Sequence, residues 1–134
     1  MINENYTILV VDDVEENRDI LDRRLSKMGF KVEVAPDGQV AIDTMRNSII
    51  DLVLLDIMMP EIDGISVLKQ IREDSMFDDV PVIMVTAIDN MNVALDCLRK
   101  GACGYITKPF EMEQVRKQIQ NCLNLEPTLA YSSQ

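Results

Sequence analysis

Residues 52–60 read LVLLDIMMP. Leu52, Val53, Leu54 and Leu55 form a short continuous apolar run, as expected of a strand covered on both faces rather than one with a wet side. The run ends on Asp56, a carboxylate set among Leu54, Leu55, Ile57, Met58 and Met59. A charge that leaves water without a partner costs several kcal/mol. The stretch therefore predicts a central strand and, at its carboxyl end, something that compensates Asp56.

Working outward, Ile8 to Val11 and Val82 to Val85 are two more continuous apolar runs, while Lys31 to Ala35 alternates and Cys103 to Ile106 is short. That makes three central strands and two edge strands. The segments between them carry helical spacing: Ile20, Leu21, Leu25, Met28; Ala41, Met45, Ile49; Leu68, Ile71; Met91, Ala94, Leu98; and Met112, Val115, Ile119, Leu123. The order is (βα)5, an α/β class in which right-handed crossovers give a doubly wound, five-stranded parallel sheet with helices on both faces. With the second and fifth strands at the edges, the strand order is 2-1-3-4-5, as in flavodoxin-like folds. Residues 1–123 read as one domain and 124–134, with Pro127 and two serines, as a tail or the start of a linker.

Composition sets limits. The chain has 134 residues, 47% of them hydrophobic, which suits one compact domain. No apolar run approaches membrane-spanning length, and the N-terminal residues lack the cationic and apolar regions of a signal peptide. A cytoplasmic location and no membrane contact are expected. Thirteen Lys and Arg against 23 Asp and Glu leave a formal charge of -10, which repels nucleic-acid phosphates, so no direct nucleic-acid binding is expected. Cys97, Cys103 and Cys122 show no metal-type spacing, and the chain has no histidine. They read as reduced, small core residues.

The polar residues converge. Asp12 and Asp13 follow the first strand, Asp56 the third, Thr86 the fourth and Lys108 the fifth. All lie at carboxyl ends, where open α/β sheets bind ligands beside the point at which strand order reverses, here between strands one and three. Each residue has a plainer reading. Asp13 fits an N-cap, with Glu16 completing a capping box; Asp12 has no such role. Asp56 suits a turn before Met59 and Pro60. Thr86 is an ordinary strand end, Lys108 a solvated lysine, Tyr105 a packing aromatic, and Met58 and Met59 apolar filling. Five polar residues from four separate segments on one rim outweigh those readings. Close carboxylates repel, so the site calls for a cation, and carboxylate, carbonyl and water oxygens with open positions suit Mg²⁺. Asp56 then tolerates its setting because a metal and Lys108 compensate it, and one of its oxygens stays free to act as a nucleophile.

VVDD at 10–13, LLDIMMPEIDG at 54–64, VTA at 85–87 and YITKPF at 105–110 together resemble the receiver domain of two-component response regulators, over about Tyr6 to Leu123. The resemblance implies a phosphorylation-regulated signalling domain that catalyses its own modification rather than a turnover enzyme. The phosphoryl group would come to Asp56 from a phosphohistidine on a sensor histidine kinase or histidine phosphotransfer protein. It also implies Mg²⁺ on Asp13, Asp56 and the Met58 carbonyl, with Asp12 reaching the ion mainly through water. Thr86 and Lys108 would hold phosphoryl oxygens, Tyr105 would switch rotamer with Thr86, and the Lys108–Pro109 peptide would be cis. The surface of the fourth helix, fifth strand and fifth helix would change its partner affinity or form a homodimer. Met58 and Ile88 would flank the hydrolytic water and tune the phosphoryl lifetime.

Other classes fit less well. A phosphatase of the haloacid dehalogenase type needs a second aspartate at the position of Met58. A flavin binder wants a hydroxyl-rich loop where this chain has DDVEEN, and no P-loop glycine pattern occurs. A receiver fold that docks a partner without being phosphorylated is the remaining alternative.

Overall fold

The computed structural model describes residues 5–125. Five strands, β1 (Thr7–Val11), β2 (Lys31–Ala35), β3 (Leu52–Leu55), β4 (Val82–Thr86) and β5 (Gly104–Thr107), alternate with five helices, α1 (Glu15–Lys27), α2 (Gly38–Asn47), α3 (Gly64–Glu73), α4 (Met91–Arg99) and α5 (Met112–Cys122). A short 3-10 turn, Ser75–Phe77, precedes β4. The strands pair in parallel in the order β2-β1-β3-β4-β5, as the alternation of runs predicts.

Strand side chains point alternately to the two faces, so each continuous apolar run feeds two cores. Leu9, Val11, Val53, Leu55, Val82 and Met84 pack with Ala41, Met45, Val67, Leu68, Ile71 and Cys97 on the side of α2, α3 and α4. Ile8, Val10, Leu52, Leu54, Ile83, Val85 and Ile106 pack with Leu21, Leu25, Val115 and Ile119 on the side of α1 and α5. The register matters for the site. Val11 lies opposite Leu55, and the Asp56 N–H continues the ladder by donating to the Val11 carbonyl at 3.0 Å. Asp12 and Asp56 are thereby set side by side where β1 and β3 end.

Several expectations need correction. α1 begins one residue later than a cap at Asp13 requires: its N-cap position is Val14, with no side-chain capping bond, so the capping box with Glu16 does not form. α2 stops at Asn47, leaving Ile49 outside the helix and 84% exposed. α4 buries Cys97 and half-buries Val93, whereas Met91 and Leu98 face solvent. Its apolar residues occupy two faces, and periodicity alone does not say which one the sheet covers. Cys97 is free and buried, but Cys103 and Cys122 form a disulfide, with Cys103 exposed. Their separation of 19 residues hides the contact, because α5 runs back along β5 and brings its last turn to the residue just before the strand. Residues 126–134, the bulk of the expected tail, lie outside the described residues.

Candidate functional site

Asp12, Asp13 and Asp56 each offer a carboxylate oxygen within 4.8 Å of the others. At that separation each pair repels by about 3.5 kcal/mol at an effective dielectric of 20. Asp12 and Asp56 are buried, whereas Asp13 is exposed at the rim. The compensation demanded by LVLLDIMMP is visible. Lys108 Nζ donates to Asp12 Oδ2 at 2.6 Å and to Asp56 Oδ2 at 3.1 Å, with the lysine side chain 20% exposed. The loop that delivers the lysine carries a cis Lys108–Pro109 peptide, as the resemblance implies, and the Lys108 N–H donates to the Thr86 carbonyl at 2.8 Å. Burial works against the ammonium charge. The hydrogen bond to Asp12, the charges of both aspartates and the hydrogen bond to Asp56 outweigh it and hold the lysine pKa above its ordinary value.

Asp12 has a structural role after all. Its Oδ1 accepts from the Val14 N–H at 2.9 Å and its Oδ2 from Asn17 Nδ2 at 3.3 Å, while Arg18 Nη1 donates to the Asp12 carbonyl at 2.8 Å. Asn17 and Arg18 were not legible as site residues, although both stand in the first turns of the helix that follows VVDD. Asp56 has its Oδ1 held by the Met58 N–H at 3.2 Å, the turn contact expected of it, which leaves Oδ2 facing Lys108. Behind it, α3 starts so close to the loop that a Cβ on Gly64 would stand 1.9 Å from the Asp56 carbonyl oxygen. Asp63 caps α3 through the Ser66 N–H at 2.9 Å. These contacts fix the nucleophile candidate from behind.

Thr86 is fully buried at the end of β4, and its hydroxyl accepts from the Ile88 N–H at 3.4 Å. Tyr105 is half-buried, and its hydroxyl donates to the Ile88 carbonyl at 2.7 Å, which ties β5 to the loop after Thr86. Burial, then the charges of Cys97, Asp89 and Asp56, push the phenol pKa up, so the hydroxyl remains a donor. Ile88 packs against the core, whereas Met58 is 60% exposed over the site. Beside Lys108 a cleft of about 410 Å³ opens between α1 and the loop after β5, lined by Asn17, Ile20, Leu21, Lys108, Pro109 and Phe110. The structure thus brings Asp12, Asp13, Asp56 and Lys108 into one cluster and places Thr86, Ile88 and Tyr105 on the adjoining strand ends.

The family profile described as the response regulator receiver domain matches residues 8–120. The chain belongs to the response regulator receiver family. A probable transcriptional regulator, ycf27, of Guillardia theta is 40% identical over 126 residues, covering 94% of this chain and 48% of the relative. Among solved structures, a putative response regulator from Chloroflexus aurantiacus superposes with a TM-score of 0.84 at 28% identity, covering 89% of this chain and 98% of that one. The response regulator TrrA of Thermotoga maritima, solved in complex with Mg²⁺ and BeF, has a TM-score of 0.79 at 30% identity, covering 88% and 99% of the two chains. This receiver spans about half the length of the curated relatives it matches. No helix of its described residues is long and apolar enough to cross a membrane.

Proposed function

We propose that this receiver accepts a phosphoryl group on Asp56 from a phosphohistidine of a sensor histidine kinase or histidine phosphotransfer protein. The observation that carries the reading is the Lys108 ammonium bridging Asp12 and Asp56 beside Asp13. Mg²⁺ is the cofactor the donor set fits. The carboxylates of Asp12, Asp13 and Asp56 and the Met58 carbonyl are hard oxygen donors, with Asp13 on the open side. When bound, the ion neutralises charge on the phosphoryl oxygens.

The remaining work falls to the chain. An Asp56 carboxylate oxygen attacks phosphorus in line; the new P–O bond forms as the donor's P–N bond breaks, and the imidazole leaves. Lys108, held cationic between two carboxylates, turns toward the transferring oxygens and stabilises their charge, so that the domain contributes positioning and electrostatics. The cleft at Ile20, Leu21 and Phe110 adjoins Lys108 and offers apolar surface to the donor protein as it aligns its histidine. In this reading Thr86 then takes a phosphoryl oxygen, and Tyr105 gives up the Ile88 carbonyl and changes rotamer. Differential contacts of this kind shift a pre-existing equilibrium of the α4, β5 and α5 face. That face exposes Met91, Leu95 and Leu98 on α4 and carries the Glu113–Arg116 ion pair on α5, which suits a homodimer or a protein partner. The net charge of -10 keeps nucleic acid off the receiver itself, and the proposed setting is the cytoplasm.

The test is mass. Incubation with Mg²⁺ and acetyl phosphate or phosphoramidate should add one phosphoryl group to the wild type and none to Asp56→Asn, which should stay folded because it removes one of three mutually repelling charges. A variant that labels like the wild type overturns the assignment.

A further inference from the structure

The Cys103–Cys122 disulfide spans Cα atoms 6.1 Å apart. Cys103 immediately precedes β5 and is exposed; Cys122 is the last residue of α5 and is half-buried. The bond therefore lies at the end of β5 remote from Lys108, and the loop it closes contains Tyr105, Lys108 and all of α5. Between the bond and Tyr105 the helix is already fitted closely to the strand. Gln118 Nε2 donates to the Tyr105 carbonyl at 3.2 Å, and a Cβ on Gly104 would come within 2.0 Å of Gln118 Oε1. That oxygen is buried with no hydrogen-bond partner among the described residues. Among the described residues, the far end of α5 is held by the core packing of Val115 and Ile119, with Cys122 and Leu123 packed against that core, by the Gln118 hydrogen bond and by the covalent bond.

The three cysteines divide by burial. Cys97 is sealed in the core and free, whereas Cys103 of the bonded pair is exposed and Cys122 half-buried. In a cytoplasmic setting thiols are kept reduced, and disulfides that form there are characteristically transient or redox-sensing. Exposed disulfides are the labile ones, opened and closed by thiolate exchange.

We propose that Cys103 and Cys122 are a reversible modification site, a dithiol closed by a low-molecular-weight disulfide and reopened by the corresponding thiol, whose state sets how firmly α5 is held against β5. The exposed Cys103 thiolate attacks one sulfur of the small disulfide, forming a mixed disulfide and releasing one thiolate. The Cys122 thiolate then attacks Cys103 sulfur, the intramolecular S–S bond forms, and the second small thiolate leaves. Two protein thiols have lost two electrons and two protons, and one small disulfide has become two thiols. Resting on the reading of the α4, β5 and α5 face as the output surface, the clasp would bias that face without using Asp56.

The test equilibrates the full chain in glutathione buffers from fully reduced to fully oxidised, traps thiols by alkylation, and follows amide hydrogen exchange in parallel. Cys103 and Cys122 should alkylate together in reduced buffer and be protected together in oxidised buffer, reversibly. On reduction the amides of residues 119–123 should exchange about tenfold faster while those of β1 stay within about twofold. Cys103→Ser should behave like the reduced wild type in both buffers. A pair that glutathione neither opens nor recloses overturns the proposal, and so does α5 exchange that is unchanged when the wild type is reduced. Neither result depends on Asp56 labelling, so failure of the phosphoacceptor reading is seen separately.

Discussion

Lys108→Met removes the cation that forms ion pairs with both the Asp12 and the Asp56 carboxylates, and its cost follows from the geometry. At 2.6 and 3.1 Å the two attractions are about 6 and 5 kcal/mol at an effective dielectric of 20, before the desolvation of all three groups is charged against them. Removing one member of a buried charge cluster typically destabilises by about 3–5 kcal/mol, and the lysine's partial exposure puts this case near 3. For a domain of this size that is a fall in Tm of about 10 °C without divalent cation. The same substitution should tighten Mg²⁺ binding, since the ion would no longer meet an ammonium between two of its proposed ligands. A tenfold gain in affinity adds about 1.4 kcal/mol of stabilisation at saturation, or about 5 °C more in the variant than in the wild type. Differential scanning calorimetry with EDTA and with Mg²⁺ is the assay, because the chain has no tryptophan to report unfolding. A loss below about 1 kcal/mol in EDTA would show that the lysine is not what compensates the carboxylates. Equal Mg²⁺ increments in the two proteins would show that lysine and metal do not share them.

Alkaline pH should reproduce part of this loss. Because the folded Lys108 pKa is raised above its ordinary value of 10.5, its stabilisation is complete below that value and fades as pH rises through the higher folded one. The stability gap between wild type and Lys108→Met should thus be flat up to about pH 10 and narrow above it; a gap independent of pH contradicts the linkage. Asp13→Ala removes the exposed carboxylate of the cluster and should abolish most of the Mg²⁺-induced rise in Tm, so an undiminished rise takes Asp13 out of the site. Met58 and Ile88 have no polar group with which to orient a hydrolytic water, so aspartyl phosphate should decay slowly, and Met58→Asn with Ile88→Glu should shorten its lifetime. If the double variant decays no faster, these side chains do not set it. Beryllofluoride with Mg²⁺ should promote self-association or partner binding through Met91, Leu95 and Leu98, and light scattering of an unchanged monomer with unchanged amide shifts on α4 and α5 counts against that face.

How much was legible differs from residue to residue. LVLLDIMMP, with the runs at 8–11 and 82–85, determined the class and the strand order, because a strand buried on both faces has to be apolar at every position and only an alternating βα chain supplies two helical layers. It also marked a candidate site, since a carboxylate at the end of such a strand needs compensation wherever the fold places it, and Lys108 supplies it for Asp56. What only the tertiary structure decided is contact between segments far apart in the chain. Lys108 reaches Asp12 across 96 positions, and no local pattern records that 2.6 Å approach. Asp13 is freed from capping because α1 starts at Glu15, a one-residue difference that propensity does not resolve. The outward face of α4 depends on which of two apolar stripes meets β5. Cys103 and Cys122 looked like core residues because their residue type is small and apolar, yet pairing requires only that two Cβ atoms come close. That closeness exists because α5 returns along β5 to the residue that precedes it, a consequence of chain path that composition and spacing do not carry.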